Sequence, residues 1–314
     1  MFKNKEYILS VYKEGGFTKA AEKLFVSQPS LSASVKRIEE KVGAPIFDRS
    51  NTPITLTEVG REYVKYALEI EQKEEDFKKY VADYANLMVG KIKIGGSSFF
   101  SSFILPKMIS EFSALHKEIA FELFEGNTKN LISKLYTGDL DLVIDNAVLN
   151  DENIEAKPYI KERLLLAVPK KFKINKQLGN LSVSAEAIKA DMHLNMHSID
   201  LSQLKNEPFV LLHNENDTGR RAEKLFKKYN VTPNVIFRLD QQITAYNISC
   251  SGIGISFVSD TLIKNIAPSN EVVFYNLFDS WAKRNIYLYR KKNHYQSIAC
   301  QKFIEYNINK NFIK

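Results

Sequence analysis

The sequence is poor in cysteine and has no long apolar run. Its 314 residues include only two cysteines, Cys250 and Cys300, which argues against a disulfide framework and, without a Cys-x-x-Cys spacing, against a zinc site. No apolar stretch reaches the roughly 20 residues that a transmembrane helix needs. The opening residues MFKNKEYILS lack the apolar core of a secretion signal. We therefore expect a soluble, cytoplasmic protein with no membrane partner.

The patterns of common enzyme active sites are also missing. There is no P-loop, no Gly-rich dinucleotide turn after a strand and no nucleophile elbow. His193 and His197 are four residues apart and could share a metal ion, but we see no cysteine or carboxylate that supports them. The sequence predicts no catalytic residues, no metal site and no cofactor.

The positive charge does not by itself identify a nucleic-acid-binding face. The chain carries 44 basic and 37 acidic side chains, a net charge of +7. Residues 1–60 hold nine basic against seven acidic groups, whereas residues 281–314 hold eight basic groups against Glu305 alone. A DNA-binding function must therefore be argued from a motif rather than from bulk charge.

Residues 18–42 predict two short helices joined by a tight turn. Thr18 and Ser27 are placed to N-cap the two helices. Pro29 falls in the first turn of the second helix, where its missing N–H costs nothing. Two caps nine residues apart leave room for one short helix, a turn and the start of another.

The second of these helices has two faces. At about 100° per residue, its apolar side chains share one stripe, and short polar or basic side chains point away from it. A small, polar face that is basic near the helix N-terminus suits the DNA major groove; the alternative is an ordinary helical hairpin with a solvated face. The apolar stripe comprises Leu31, Val35, Ile38 and Val42, and the outward face comprises Gln28, Ser32, Ala33, Lys36 and Arg37.

Three runs of sequence favour the DNA-binding interpretation. F-T-K-A-A-E-K-L-F-V-S-Q-P-S-L-S, I-E-E-K-V-G-A-P-I-F-D-R and I-T-L-T-E-V-G resemble, without gaps over residues 7–60, the N-terminal winged helix-turn-helix of LysR-type transcriptional regulators. Gly16 stands where that family usually has Ser. Arg49 is the candidate in the wing for a phosphate or minor-groove contact, the alternative being a surface Arg paired with Asp48. The predicted DNA-binding residues are Thr18, Ser27, Gln28, Pro29, Ser30, Ser32, Ala33, Lys36, Arg37 and Arg49.

A long helix is predicted from its N-cap Thr57 to about Met88. Its apolar residues recur every seven positions, which predicts a seam that packs against a second helix. The resemblance implies the family's linker helix, through which two chains dimerise; packing on its own domain is the alternative. One row comprises Tyr63, Ile70, Phe77 and Tyr84, and the companion row comprises Val59, Tyr66, Lys73, Tyr80 and Leu87.

Past Gly90 the sequence alternates between strands and helices, which predicts an α/β domain with parallel strands. One βαβαβ unit ends with a strand at 138–144, a second unit begins near Arg163, and a strand at 272–275 returns to the first unit. Two lobes joined by two crossings resemble the periplasmic-binding-protein-like (type II) effector domain of the same family. Residues 170–200 are longer than that family usually needs, and we interpret them as an inserted helical loop.

The predicted fold is therefore α/β, with a winged helix-turn-helix over 1–57, a linker and dimerisation helix over 58–88 and an effector-binding domain over 89–314. Lobe I comprises 89–161 and 268–314, and lobe II comprises 162–267.

A small-molecule site is expected between the lobes. In open α/β sheets, ligands collect at the carboxyl ends of strands, which are also helix N-termini. Amide and hydroxyl donors there suit an anion, although each residue alone could simply cap a helix. The predicted site comprises Ser97, Ser98, Asn127 and Thr128 from the first lobe and His213, Asp217, Gln241, Gln242 and Thr244 from the second.

Taken with the resemblance, these features predict a ligand-responsive transcriptional regulator that is not an enzyme. Its expected partners are double-stranded DNA with an AT-rich interrupted palindrome, a small anionic effector, further copies of itself in a dimer or tetramer, and RNA polymerase at the promoter. A transport binding protein and an enzyme on the same fold are the alternatives. The missing secretion signal and the DNA-binding motif oppose the first, and the missing catalytic motifs oppose the second.

Overall fold

A computed structural model describes residues 1–50, 53–84, 90–292 and 294–312. The chain divides into two units, Met1–Ala85 and Asn86–Lys314. None of the described helices is both long enough and apolar enough to cross a membrane.

The first unit is a helix-turn-helix domain with a wing and one long helix. Its core contains Ile8 and Leu9 of the first helix, Leu31 and Val35 of the third, and Tyr63 of the long helix. The elements are α1 (Lys5–Glu14), α2 (Phe17–Lys23), α3 (Gln28–Val42), β1 (Phe47–Asp48), β2 (Thr55–Leu56) and α4 (Glu58–Tyr84).

Most helix ends in this unit lie where the sequence predicts them. The Ser27 side chain caps α3 by accepting from the Ser30 amide, and Thr57 Oγ1 accepts from the Gly60 amide at 2.9 Å. The predicted cap at Thr18 is wrong, because α2 begins at Phe17 and its N-cap is Gly16, which has no side chain. Phe17 is thus the first helical residue, and its ring is buried against the Phe47 ring, with 5.8 Å between ring centroids.

The wing is a short antiparallel pair in which Phe47 opposes Leu56 and Asp48 opposes Thr55. Asn51 and Thr52, which the sequence places at its tip, lie outside the described residues, as do Leu87 and Met88 at the predicted end of the long helix.

The second unit is the expected two-lobed α/β domain. Its elements are β3 (Gly90–Gly96), a π-helical turn (Phe100–Ile104), α5 (Leu105–Leu115), β4 (Ile119–Glu125), α6 (Thr128–Thr137), β5 (Leu142–Asp145), β6 (Ile154–Pro169), α7 (Ile174–Leu178), β7 (Ser182–Val183), α8 (Ala185–Lys189), β8 (Ser198–Ile199), β9 (Pro208–Leu212), α9 (Asp217–Lys228), β10 (Asn234–Leu239), α10 (Gln242–Cys250), β11 (Ile255–Ser259), α11 (Asp260–Asn265), β12 (Val272–Leu277), β13 (Lys283–Lys291) and α12 (Ile298–Phe312). Short 3₁₀ turns cover Gly179–Leu181, Met192–Asn195, Leu201–Leu204 and Ser280–Ala282.

Strand β6 belongs to both lobes. Its first part pairs antiparallel with β13, from Ile154 opposite Lys291 to Arg163 opposite Lys283. From Leu164 onward it pairs with β11 on one side and with β12 on the other. Lobe I completes its sheet with β5, β3 and β4, and lobe II completes its sheet with β9 and β10.

Two predictions about this domain are wrong. Strand β12 was expected to return to lobe I, yet it pairs with the second half of β6, so it belongs to the sheet of lobe II and the second crossing lies between β12 and β13. Residues 170–200 are more than a helical loop, because β7 and β8 within them both pair with β12 and extend that sheet.

Candidate functional sites

Helix α3 presents one buried and one exposed face. Leu31, Val35 and Ile38 are buried in the core of the first unit, and Val42 is half-buried. On the opposite side the predicted DNA-reading residues Gln28, Pro29, Ser30, Ala33, Lys36 and Arg37 are exposed and Ser32 is half-buried, while Thr18 of α2 and the cap Ser27 are also exposed.

The turn before α3 contains a feature that the sequence does not reveal. Phe25 has a left-handed backbone (φ 55°), and its side chain is 97% exposed. Its amide donates to the Glu22 carbonyl at 3.2 Å, and the Val26 amide donates to the Ala21 carbonyl at 3.1 Å. This is a Schellman helix end in which Phe occupies the position that usually carries Gly.

Arg49 is held against the helical body. Its Nη2 donates to Glu39 Oε2 at 3.1 Å, and its guanidinium lies 5.0 Å from the centroid of the Phe17 ring. Asp48, the partner that the sequence suggested, accepts instead from the amide and hydroxyl of Ser50. The Arg49 side chain remains partly exposed beside the wing.

A cavity of about 640 Å³ lies between the two lobes at the carboxyl ends of their strands. Of the nine residues predicted to bind an effector, His213 and Thr244 are not among those that line it. The seven that do line it are Ser97, Ser98, Asn127, Thr128, Asp217, Gln241 and Gln242.

Neighbouring carboxylates already accept from two of the hydroxyls in this cavity. Thr128 Oγ1 donates to Asp145 Oδ2 at 2.7 Å, and the Ser98 hydroxyl donates to the Glu125 carboxylate. The helical run begins at Ser98, so Ser97 stands at its N-cap position, where its carbonyl accepts from the Ser101 amide at 2.8 Å; the Ser98 hydroxyl is bound to Glu125 instead of capping the helix. Helix α10 also presents its N-terminus to the cavity without a side-chain cap, at Gln241.

Asp145 is fully enclosed at the end of β5. Besides the Thr128 hydroxyl it accepts from the backbone amides of Asn146 and Ala147, at 2.6 and 3.0 Å. Burial raises the pKa of this carboxyl because it disfavours the charged form more than these hydrogen bonds favour it.

A buried ionic network joins the crossing strands to lobe II. Arg284 of β13 faces Glu162 of β6 in register, and its Nε donates to that carboxylate. Its Nη1 donates to Asp217 Oδ2 at 3.0 Å and to Thr218 Oγ1 at 2.9 Å. Burial alone would lower the pKa of Arg284, but Glu162 and Asp217 raise it. No spacing in the sequence connects these positions, so the network could not be predicted.

His193 does have carboxylates close by, contrary to the sequence-based interpretation. It is buried, and its Nε2 lies 3.3 Å from Asp260 Oδ2, with Asp191 in the same group. The Lys264 ammonium lies 2.6 Å from Asp191 and 3.4 Å from Asp260. A cationic side chain of the protein therefore already lies between the carboxylates that could hold a metal ion. His197 is exposed and does not belong to this group.

Comparison with known proteins agrees with this architecture. Residues 2–61 match the profile described as "Bacterial regulatory helix-turn-helix protein, lysR family", and residues 85–309 match "LysR substrate binding domain". The chain is 26% identical over 300 residues to the uncharacterized HTH-type transcriptional regulator YcgK of Bacillus subtilis strain 168, covering 96% of this chain and 91% of that protein.

Two full-length solved structures share the fold. A full-length OxyR variant from Pseudomonas aeruginosa superposes with a TM-score of 0.66 at 22% identity, over 97% of this chain and 92% of that one. Full-length CbnR in complex with its target DNA gives a TM-score of 0.63 at 18% identity, over 99% of both chains.

Proposed function

The chain belongs to the LysR family of bacterial transcriptional regulators, and from that premise we propose that α3 reads a specific DNA sequence while the cavity between the lobes binds the small molecule that controls it. A regulator of this kind is not an enzyme. It acts in the cytoplasm, where its DNA lies, and alters DNA binding or promoter geometry for RNA polymerase.

The exposed face of α3 is the observation that supports DNA reading. Short side chains near its N-terminus allow close approach to base edges, and Lys36 and Arg37 follow as cations for phosphates. Arg49 is the corresponding contact from the wing, and its guanidinium would then bind a DNA phosphate in addition to, or in place of, Glu39. Two such helices in a dimer require two half-sites, which gives an interrupted palindrome that we expect to be AT-rich.

The second half of α4 supports self-association. Phe77 and Tyr84 are 66% and 82% exposed, and the rings of Phe77, Tyr80 and Tyr84 stack in sequence with centroid separations of 6.4 and 6.3 Å. Tyr63, by contrast, packs inside the first unit against Phe2. A row of exposed aromatic rings on one helix face is costly in water, and we propose that α4 of a second copy covers it, with the effector domains able to extend the dimer to a tetramer.

The effector is proposed to carry an acidic group. The uncapped N-terminus of α10 offers backbone amides to an anion at the edge of the cavity. A ligand that contacts both lobes can shift the protein between lobe arrangements only by binding one arrangement better than the other.

Selection of random DNA duplexes on the full-length protein tests the proposed DNA reading. The expected result is enrichment of one motif with two related half-sites separated by about one helical turn or a multiple of it. Retention of unenriched DNA after several rounds would contradict sequence-specific reading.

A further inference from the structure

Among the charged side chains that line the cavity between the lobes, acidic ones outnumber basic ones. Five carboxylate side chains line it against two basic ones, Lys129 and Arg284. Arg284 is already paired with Glu162 and Asp217, so it offers no free charge to a ligand. Asp145 is enclosed, and burial raises its pKa. The groups that remain are Glu125, Glu215 and Asp240, opposed by Lys129 alone.

These three carboxylates come from both sides of the cavity. Glu125 ends β4 in lobe I, whereas Asp240 follows β10 and Glu215 precedes α9 in lobe II. All three are exposed, and in the described part of the chain none has a basic nitrogen within 4.0 Å. Like charges that face each other across a gap repel, and a cation placed between them removes the repulsion.

The wall near α10 offers a hydrogen-bond donor instead. Gln242, the first residue of α10, is buried and lines the cavity. Its Oε1 accepts from the Ser259 hydroxyl at 3.1 Å, while its Nε2 has no acceptor among the described residues. Together with the uncapped amides of α10, this donor suits a negatively charged oxygen.

We infer that the effector is a zwitterion that carries an ammonium group as well as an acidic group, as an amino acid does, rather than a simple anion. This inference rests on the proposed function of the cavity. The acidic end faces the N-terminus of α10, and the ammonium lies among Glu125, Glu215 and Asp240. Because those carboxylates belong to both lobes, the ammonium draws the lobes together, which couples binding to lobe closure.

The charge of the effector can be tested before its identity is known. A metabolite extract of the source organism is acidified and passed over a sulfonate cation exchanger, which retains compounds with an amine and passes acids without one. Each fraction, returned to neutral pH, is added to the full-length protein in a thermal-unfolding assay. The expected result is that the retained fraction raises the Tm and the unretained fraction leaves it unchanged.

The other outcomes distinguish failure of the zwitterion inference from failure of the proposal that the cavity binds a ligand. Protection by the unretained fraction, equal to or above that by the retained one, overturns the zwitterion and leaves a ligand-binding cavity in place. Protection by neither fraction overturns both.

Variants locate the ammonium. Glu125→Gln and Asp240→Asn remove one charge each with little change of shape, and each should raise the amount of retained fraction needed for half-maximal protection by about tenfold. Glu118→Gln is the matched control, since Glu118 is exposed at the opposite end of β4, and it should respond as the unaltered protein does. If both cleft variants responded like Glu118→Gln, the ammonium would not lie among these carboxylates.

Discussion

The guanidinium of Arg284 lies 3.0 Å from the carboxylate of Asp217, which joins a strand that crosses between the lobes to the first turn of α9. Both side chains are buried, and the same guanidinium also holds Glu162 on the neighbouring strand. Asp217 has a second buried partner in Arg221, whose Nε lies 2.6 Å from Oδ2, but removal of Arg284 would leave Glu162 buried without a counter-charge.

Arg284→Met should therefore destabilise the protein by about 3–5 kcal/mol, the cost of breaking a buried pair from one side. Urea unfolding followed by circular dichroism measures the change. Arg220→Met is the control, because Arg220 Nη2 also lies within 3.6 Å of Asp217 but its side chain is 42% exposed, and the loss there should be about 1 kcal/mol or less. If both variants lost the same free energy of unfolding, burial would not determine how much an ion pair contributes to stability.

Asp145→Asn should stabilise the protein more at neutral pH than in acid. Folded Asp145 has a raised pKa, so it binds its proton more tightly than the unfolded side chain does. The unaltered protein therefore loses stability as pH rises from about 4 through the folded pKa, and the Asn variant does not. Unfolding curves at pH 4 and pH 7.5 measure the difference, and a gain that is the same at both pH values would refute the raised pKa.

Lys36→Ala and Gln28→Ala should weaken DNA binding in different ways. Loss of Lys36 should reduce affinity for all sequences and lower the slope of log affinity against log salt by about one. Loss of Gln28 should relax discrimination at one or two base pairs by about 1–3 kcal/mol. Mobility-shift titrations over a range of salt concentrations distinguish the two effects. Lys41→Ala, at the far end of α3, should change neither. Full affinity and unchanged selectivity in both variants would mean that α3 does not read the DNA.

Phe77→Asp should weaken self-association by at least about thirtyfold, since it places a charge in a proposed aromatic contact. Sedimentation velocity of the full-length protein at micromolar concentration measures this. Lys78→Asp adds negative charge one position away from the seam and should leave association unchanged. A Phe77→Asp protein that sediments like the unaltered one would show that this face is not the dimer contact.

Phe25→Gly should stabilise the first unit by about 0.5–1 kcal/mol. A left-handed backbone strains residues that have a Cβ, and Phe25 has such a backbone. Its exposed ring makes few contacts that could offset this strain. Lys19→Gly, an exposed position inside α2, should instead lose about the same amount. Thermal unfolding of both variants provides the measurement, and destabilisation by Phe25→Gly would indicate that the Phe25 ring has a structural contact in solution.

Local chemistry was enough to predict much of this structure. The caps at Ser27 and Thr57 depend on neighbours three residues away, which a sequence displays directly. The stripe of α3 and the alternation of strands and helices follow from spacing alone. The two-lobed fold was predicted with the help of the family resemblance, and the location of the cavity followed from the rule that ligands collect at the carboxyl ends of strands.

Relationships between distant parts of the chain could not be predicted. The cap at Thr18 was wrong because Phe17 already belongs to α2, and the packing of its ring on Phe47, thirty residues away, cannot be seen in local sequence. Strand β12 was assigned to the wrong lobe because pairing partners are not encoded locally. Thr128 was taken as a free hydroxyl because its acceptor, Asp145, comes from another strand. The acidic character of the cavity depends on such distant neighbours.

Strand β6 joins the two lobes of the effector domain as a strand rather than as a flexible loop. Its sixteen residues run from one sheet into the other, so a turn of one lobe against the other must bend or twist β6 where its pairing changes from β13 to β11 and β12. A hydrogen-bonded strand resists such twisting, and its resistance grows with the angle through which one lobe turns against the other. The stiffness of β6 at this change of partners would then set how large a turn a given binding energy can produce.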